Sequence, residues 1–269
     1  MTPIDWYRVA YPQQDGYDTK VVSDAAAQTY GFVPIMDLAP APNWLGGRIR
    51  LANDIPAPGD GLIPAPFDHQ SLQLAERYLQ WWPECGEQLK ALVKLIYIFD
   101  WPQGVGARGC FCGTPPRLGS REDTSLFGEV FSTVFDSVGF LEGVVHEMTH
   151  WKLHALGVHF EEWDDRLLLN RPEEVFESSL RKDKPRPMGA VLHAHWVCLH
   201  VLCVDMAAAA SKCNGCPKGD DAEHIAAAVK RVKEGQATVG AGARWTPAGA
   251  ELWRGIEDWT ADILSVAEE

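Results

Sequence analysis

Two histidines four residues apart, with a glutamate beside the first, restrict this chain more than anything else in it. The stretch Val144-Val145-His146-Glu147-Met148-Thr149-His150-Trp151-Lys152-Leu153 carries the spacing H-E-x-x-H. On an α-helix that interval puts both imidazoles on one face, about 6 Å apart along the axis. Two such imidazoles can meet one metal ion, and Glu147 then projects to the side, within reach of a metal-bound water or oxygen species. The pattern therefore asks for a helix with one metal-facing edge and apolar packing elsewhere. Phe140, Leu141, Val144, Val145 and Leu153 supply the packing, and Gly157 a C-terminal stop.

A length of 269 residues suffices for one large domain with a substantial core. The formal net charge of −13 repels phosphate backbones, so nucleic acid is not expected as a partner. Met1 to Trp6 lacks the charged-then-apolar pattern of a signal peptide. The most apolar run, Met188 to Ala210, is interrupted by His193, His195, His200 and Asp205, and reads as a buried helix with no membrane partner. Seven scattered cysteines, an odd count, predict reduced thiols and a cytoplasmic location.

Along the chain, residues 1–67 are rich in Pro and Gly and predict an irregular wrap on the body. Apolar spacing from Gln70 to Val93 predicts helix, interrupted near Pro83, and Leu95 to Phe99 reads as a buried strand. A Gly, Pro and Arg-rich loop spans Pro102 to Asp123. Leu126 to Thr133 alternates as a strand just before the H-E-x-x-H helix, which by analogy with zincin-type sites would offer an edge for an extended peptide. Helices are expected at 188–210, 222–235 and 247–267, with a loop from Ser211 to Asp221. The fold class is α+β: a helix-rich, zincin-like single catalytic domain over 1–269, with a small sheet beside the metal helix. Residues 126–210 form the metal-site core and 222–267 the C-terminal helices.

A catalytic metal needs a third protein ligand and an open position. Leu153 and Leu156 stand where a metzincin has Gly and His, which excludes that class. A gluzincin would draw on Glu173, Glu174 or Glu177, all of which also suit a solvated acidic face. His154 continues the stripe of His146 and His150, but one ion cannot span three successive turns, so it reads as pocket lining or surface. His193, following the rigid Pro185-Arg186-Pro187, is the competing third ligand; His200 shares its helix face and His195 points away. Arg181 and Arg186 are suited to a bidentate carboxylate contact. Three nitrogens and an arginine suggest iron(II) with a 2-oxo acid rather than proteolysis. Cys110-x-Cys112 and Cys213-x-x-Cys216 are two weak halves of a structural zinc site, with unpaired loop thiols as the plainer reading.

Three stretches together resemble the HExxH-motif peptide-modification family. They are Phe127 to Ser132, Leu141 to Leu153 and Arg181 to His195. Members of that family include 2-oxoglutarate-dependent peptide β-hydroxylases that act on ribosomally made precursor peptides. The resemblance covers mainly residues 126–205; Leu180 replaces the family's tryptophan, and one extra residue stands between Asp183 and Arg186. It implies that His146, His150 and His193 ligate iron(II), and that Arg181 or Arg186 holds the distal carboxylate of 2-oxoglutarate. The partner would be a precursor peptide, and Glu147 would orient water or the substrate amide. Two alternatives stay open. One is a zinc peptidase with His146, His150 and Glu174 or Glu177 as ligands and Glu147 as general base. The other is a non-catalytic peptide-binding maturation protein.

Overall fold

The computed structural model describes residues 3–33, 41–54, 61–100, 112–113, 127–160, 163–211 and 221–268. The chain opens with helices where the Pro and Gly content predicts an irregular wrap: α1 (Trp6–Val9) and α2 (Tyr17–Tyr30). The reason is local. Gly16 and Gly31 take positive φ at either end of α2, while Asp18, Val22 and Ala26, four apart, form the stripe that it buries. Pro34, Pro40, Pro56 and Pro58 fall at 34–40 and 55–60, outside the described residues. The remainder of the expected wrap contains three short strands, β1 (Asn43–Trp44), β2 (Ile49–Ala52) and β3 (Ile63–Pro64).

The helix expected at 70–93 is two helices, α3 (Gln70–Leu79) and α4 (Pro83–Leu92). Pro83 sits in the first turn of α4, where its missing N–H costs nothing. Strand β4 (Leu95–Asp100) follows as expected, then β5 (Cys112–Gly113), β6 (Glu129–Thr133) and α5 (Ser137–Ala155), the H-E-x-x-H helix. The sheet order is β1-β2-β4-β6-β5, with β3 also paired to β4. Strands β2, β4 and β6 run parallel, bordered by antiparallel β1 and β5. β6 is buried along its whole length and pairs with a strand on each side. On the side away from β4, Phe131 and Ser132 of β6 are paired with β5.

Beyond α5 a two-stranded ribbon joins β7 (Val175–Phe176) to β8 (Arg186–Pro187), and β8 leads straight into α6 (Met188–Ala210). Helix α6 has the length and apolarity to cross a membrane, yet 83% of its most apolar window is buried inside the protein. It is the axle of the core: Trp196 donates from Nε1 to the Ala10 carbonyl at 2.9 Å, tying α6 to the N-terminal helices. Helices α7 (Asp221–Gly242) and α8 (Pro247–Ala267) close the fold, and α7 runs past its expected end at 235. Gly235 is a close-packing residue there, not a helix stop. A Cβ on it would lie 2.9 Å from His195 Nδ1 on α6. One apolar cluster reaches from Val9 to Trp259, so both ends of the chain share a core. The Cys110/Cys112/Cys213/Cys216 zinc site lies outside the described residues apart from the Cys112 backbone.

The side of α5 facing away from its histidines carries a buried polar cluster. Lys152 is 0% exposed and donates from Nζ to Gln88 Oε1 at 3.0 Å and to His200 Nε2 at 3.2 Å. Its ammonium lies 4.8 Å from the Trp196 ring centre. Gln88 in turn donates to Asp18 of α2. Burial lowers Lys152 to about 8, against the pull of Asp18, and the same burial raises the Asp18 carboxyl. Four helices thus meet at one lysine.

Candidate metal centre

Helix α5 begins at Asp136, whose Oδ1 accepts from the Val138 N–H at 3.0 Å. It ends in a Schellman turn built on Gly157 (φ 89°): the Val158 N–H donates to Leu153 O at 2.9 Å, and the Gly157 N–H to His154 O at 3.1 Å. Phe140, Leu141, Val144, Val145, Met148 and Leu153 are all buried, as their spacing predicts. The turn after Gly157 folds Val158, His159 and Phe160 back toward α6. Gly189 makes this approach possible, since a Cβ there would lie 2.1 Å from the His159 carbonyl oxygen.

The helix brings His146 and His150 together as expected, with Nε2 atoms 3.0 Å apart. Two nitrogens bound at right angles to one ion, each about 2.1 Å from it, would stand roughly 3 Å apart. His193 on α6 joins them from the other side: its Nδ1 lies 2.9 Å from His150 Nδ1, and its Nε2 donates to the Val158 carbonyl at 2.8 Å. A carbonyl only accepts, so Val158 fixes the His193 proton on Nε2 and turns its Nδ1 lone pair toward His150. His193 therefore meets the pair through the outer nitrogen of His150 and does not converge with both Nε2 atoms. Among the described residues, no group of three or more His, Cys, Asp or Glu side chains has converging donors.

Two further side chains that the sequence reading did not assign complete the cluster. His159 Nδ1 lies 3.2 Å from His154 Nδ1, and Phe160 packs its ring on His150, His154 and His193 at 5.0, 4.9 and 4.3 Å. His154 is thus pocket lining, as expected. Burial holds the cluster uncharged: it lowers His146 and His154 to about 4, and places His150 and His193 well below the usual imidazole value, with neighbouring histidines adding to the effect. A neutral imidazole is the form that ligates a metal. His146 and His150 offer two facing neutral nitrogens of a kind that suits a divalent transition metal, while the His193 lone pair meets the outer nitrogen of His150. Glu147 is buried with Oε1 3.8 Å from His146 Nε2, beside the pair.

The two arginines differ. Arg181, its side chain 66% exposed, spends its fork on Asp183, with Nε–Oδ1 at 3.1 Å and Nη2–Oδ2 at 3.2 Å. Arg186 is 21% exposed; its Nη2 shares Asp183 at 3.3 Å, but its buried Nε has no acceptor. Glu174 is taken by Arg244, which binds both of its oxygens and, with help from a backbone N–H, lowers its carboxyl to about 2. Glu173 and Glu177 are exposed. His200 belongs to the Lys152 cluster. His195 is fully buried beside Gly235 and Trp253, with neither ring nitrogen hydrogen-bonded.

Beside His146 a cavity of about 150 Å³ opens between α5, α6 and α7, lined by Glu142, Leu180, Val197, Cys198, Val201, Ala228 and Arg231. Nothing in local sequence marks Arg231, because only the packing of α7 on α6 brings it there. Compared with known proteins, the chain matches no family model and no curated protein.

Proposed function

We propose that the protein is an iron(II)- and 2-oxoglutarate-dependent oxygenase, built on a zincin-like scaffold, that hydroxylates a β-carbon in a ribosomally made precursor peptide in the cytoplasm. One observation carries the reading: the neutral imidazoles of His146 and His150, partly buried, and of His193, fully buried, come into contact from two adjacent helices. A histidine-only donor set suits iron(II) as well as zinc. Iron bound by these residues would couple decarboxylation of the 2-oxo acid to activation of dioxygen. His146 and His150 would hold it through their facing Nε2 atoms; His193, the third ligand that the resemblance implies, stands against the outer nitrogen of His150. Glu147, beside His146, would hold a water or the substrate amide. Phe160 covers the imidazoles and limits the approach of bulk water. Arg186 is favoured over Arg181 for the cosubstrate's distal carboxylate, since its buried Nε–H has no acceptor while Arg181 is filled by Asp183.

The zinc-peptidase alternative loses its best third ligand, because Glu174 is committed to Arg244. The free thiols Cys85, Cys198 and Cys203 suit a reducing compartment. The test is anaerobic reconstitution with iron(II), addition of 2-oxoglutarate and then oxygen, with succinate measured for wild type and His193→Ala. Succinate from wild type, lost in the variant, is expected. Absence of succinate, together with zinc-dependent peptide cleavage that Glu147→Ala abolishes, would overturn the proposal.

A further inference from the structure

Outside the histidine cluster, a groove runs between the turn after α5 and the start of α6, walled by Phe160, Trp163, Pro172 and Pro187. Phe160 belongs to both: its ring packs on His193 at 4.3 Å and also lines the groove. The two rings are left open to solvent, Phe160 at 38% and Trp163 at 47% exposed. Arg171, in the same wall, places its guanidinium 4.6 Å from the Trp163 ring centre, so this indole already accepts a cation on its face. The chain on either side of the indole is acidic, Glu161-Glu162-Trp163-Asp164-Asp165. Asp164 is answered by Arg166, and Glu174 by Arg244. Asp165, Glu173 and Glu177 are exposed and, among the described residues, form no ion pair; Arg171 offsets one of the three. Glu173, Val175 and Glu177, all exposed, alternate with half-buried neighbours through β7. Rings and prolines lining an open groove suit an extended polypeptide. The surplus of carboxylates around it selects a basic one.

We infer that this groove docks a lysine- or arginine-bearing segment of the peptide substrate, with one cationic side chain on the exposed part of Trp163 and others facing Asp165, Glu173 and Glu177. The inference deepens the proposed function and rests on the substrate being a peptide. The docked segment is not the residue that is hydroxylated. Because Phe160 joins the groove to the histidines, holding that segment brings the neighbouring part of the peptide to the histidine cluster.

The experiment uses the full-length, metal-free protein and the fluorescence anisotropy of a labelled peptide of alternating lysine and proline. Two matched peptides carry glutamine or glutamate in place of lysine. Wild type is expected to bind the lysine peptide at least about tenfold more tightly than the glutamine peptide, and the glutamate peptide not at all. Trp163→Ala, at an exposed position, is expected to weaken binding roughly 3- to 30-fold, the worth of a cation over an indole, and Trp163→Phe by less. Asp165→Asn with Glu173→Gln should also weaken it. The control is Glu223→Gln with Asp262→Asn, which removes as much charge from exposed positions elsewhere. Helices α7 and α8 approach the groove at Gly242, beside Met188, and at Thr246, which binds the Arg166 carbonyl; Glu223 and Asp262 lie toward their other ends. An equal loss in the control, no preference for lysine, or unchanged binding in Trp163→Ala overturns the inference. So does a wild-type dimer that Trp163→Ala dissociates and that binds no peptide, which would assign the groove to a second copy of the chain. Cobalt(II) titration of the same samples keeps the two readings apart. Metal uptake lost in His146→Ala but kept in Trp163→Ala leaves the metal reading standing whatever the peptide result; lysine-peptide binding with no metal uptake in wild type leaves the groove standing without it.

Discussion

Replacing Gly189 by alanine tests how the site is assembled without touching a residue of the site. The new Cβ would lie 2.1 Å from the His159 carbonyl oxygen, and real Cβ contacts essentially never fall below 3.0 Å. The loop after α5 must then withdraw from α6 by about 0.9 Å, the difference between those two distances. The neighbouring carbonyl, Val158 O, accepts the His193 Nε2–H at 2.8 Å, and a withdrawal of that size breaks this bond. Overpacking costs about 1–3 kcal/mol, and a stranded buried N–H a further 1–3 kcal/mol. Alanine's better helix propensity returns about 1 kcal/mol. The net is roughly 3 kcal/mol of destabilisation, or a Tm lower by about 6–12 °C for a domain of this size. Losing the partner that orients His193 should also weaken metal binding by about 10- to 100-fold. Gly86→Ala is the control: inside α4, its Cβ would meet only Leu79 Cβ at 3.8 Å, and helix propensity should make it neutral or stabilising. Calorimetry and metal titration on both variants decide the matter. A Gly189→Ala protein as stable as wild type, with unchanged metal affinity, would refute the reasoning.

The other expectations are simpler. His146→Ala and His150→Ala should abolish stoichiometric iron(II) or cobalt(II) binding, and His193→Ala should lower affinity at least about tenfold in chelator competition; unchanged affinity in His193→Ala removes it from the centre. Glu174→Gln should leave metal content and turnover as in wild type, since it loses only a surface pair with Arg244; loss of metal in that variant would revive the gluzincin reading. Arg186→Gln should raise KM for 2-oxoglutarate at least about tenfold and Arg181→Gln by less than about twofold, and the reverse order would reassign the carboxylate. Because Lys152 titrates near 8 when folded, against 10.5 for the free group, the unfolded chain holds the extra proton between those values. Stability from this residue therefore rises with pH across that window, and unfolding free energies of wild type relative to Lys152→Met should diverge there in favour of wild type.

What could be read from the sequence was what depends on neighbours along the chain. The spacing of His146 and His150 carried its geometry directly into the fold, Gly157 ended α5 where expected, and Pro83 split the helix at 70–93. The N-terminal helix α2 escaped because its buried stripe is Asp18, Val22 and Ala26: two small residues and an acid, whose burial makes sense only once Gln88 and Lys152 are beside it. Gly235 and Gly242 serve close contact between elements, which no local pattern encodes. His159, Phe160 and Arg231 reach the site through a tight turn and through packing of α7, so their roles appear only in three dimensions. The sheet order is likewise set by pairing between distant segments.

Lys152 gives helix α5 something that apolar packing cannot. Successive helical residues turn by about 100°, which sets Lys152 roughly 200° round from His150. A helix held only by aliphatic contacts can roll a few degrees on its bed with little change in energy, because such contacts have no direction. An ammonium bound to Gln88 and His200 has direction, and rolling would stretch both bonds at once. The lysine acts as a key in a slot, fixing the angular setting of α5. The bearing of the imidazoles on the opposite face is thereby determined from behind, by a residue that touches none of them.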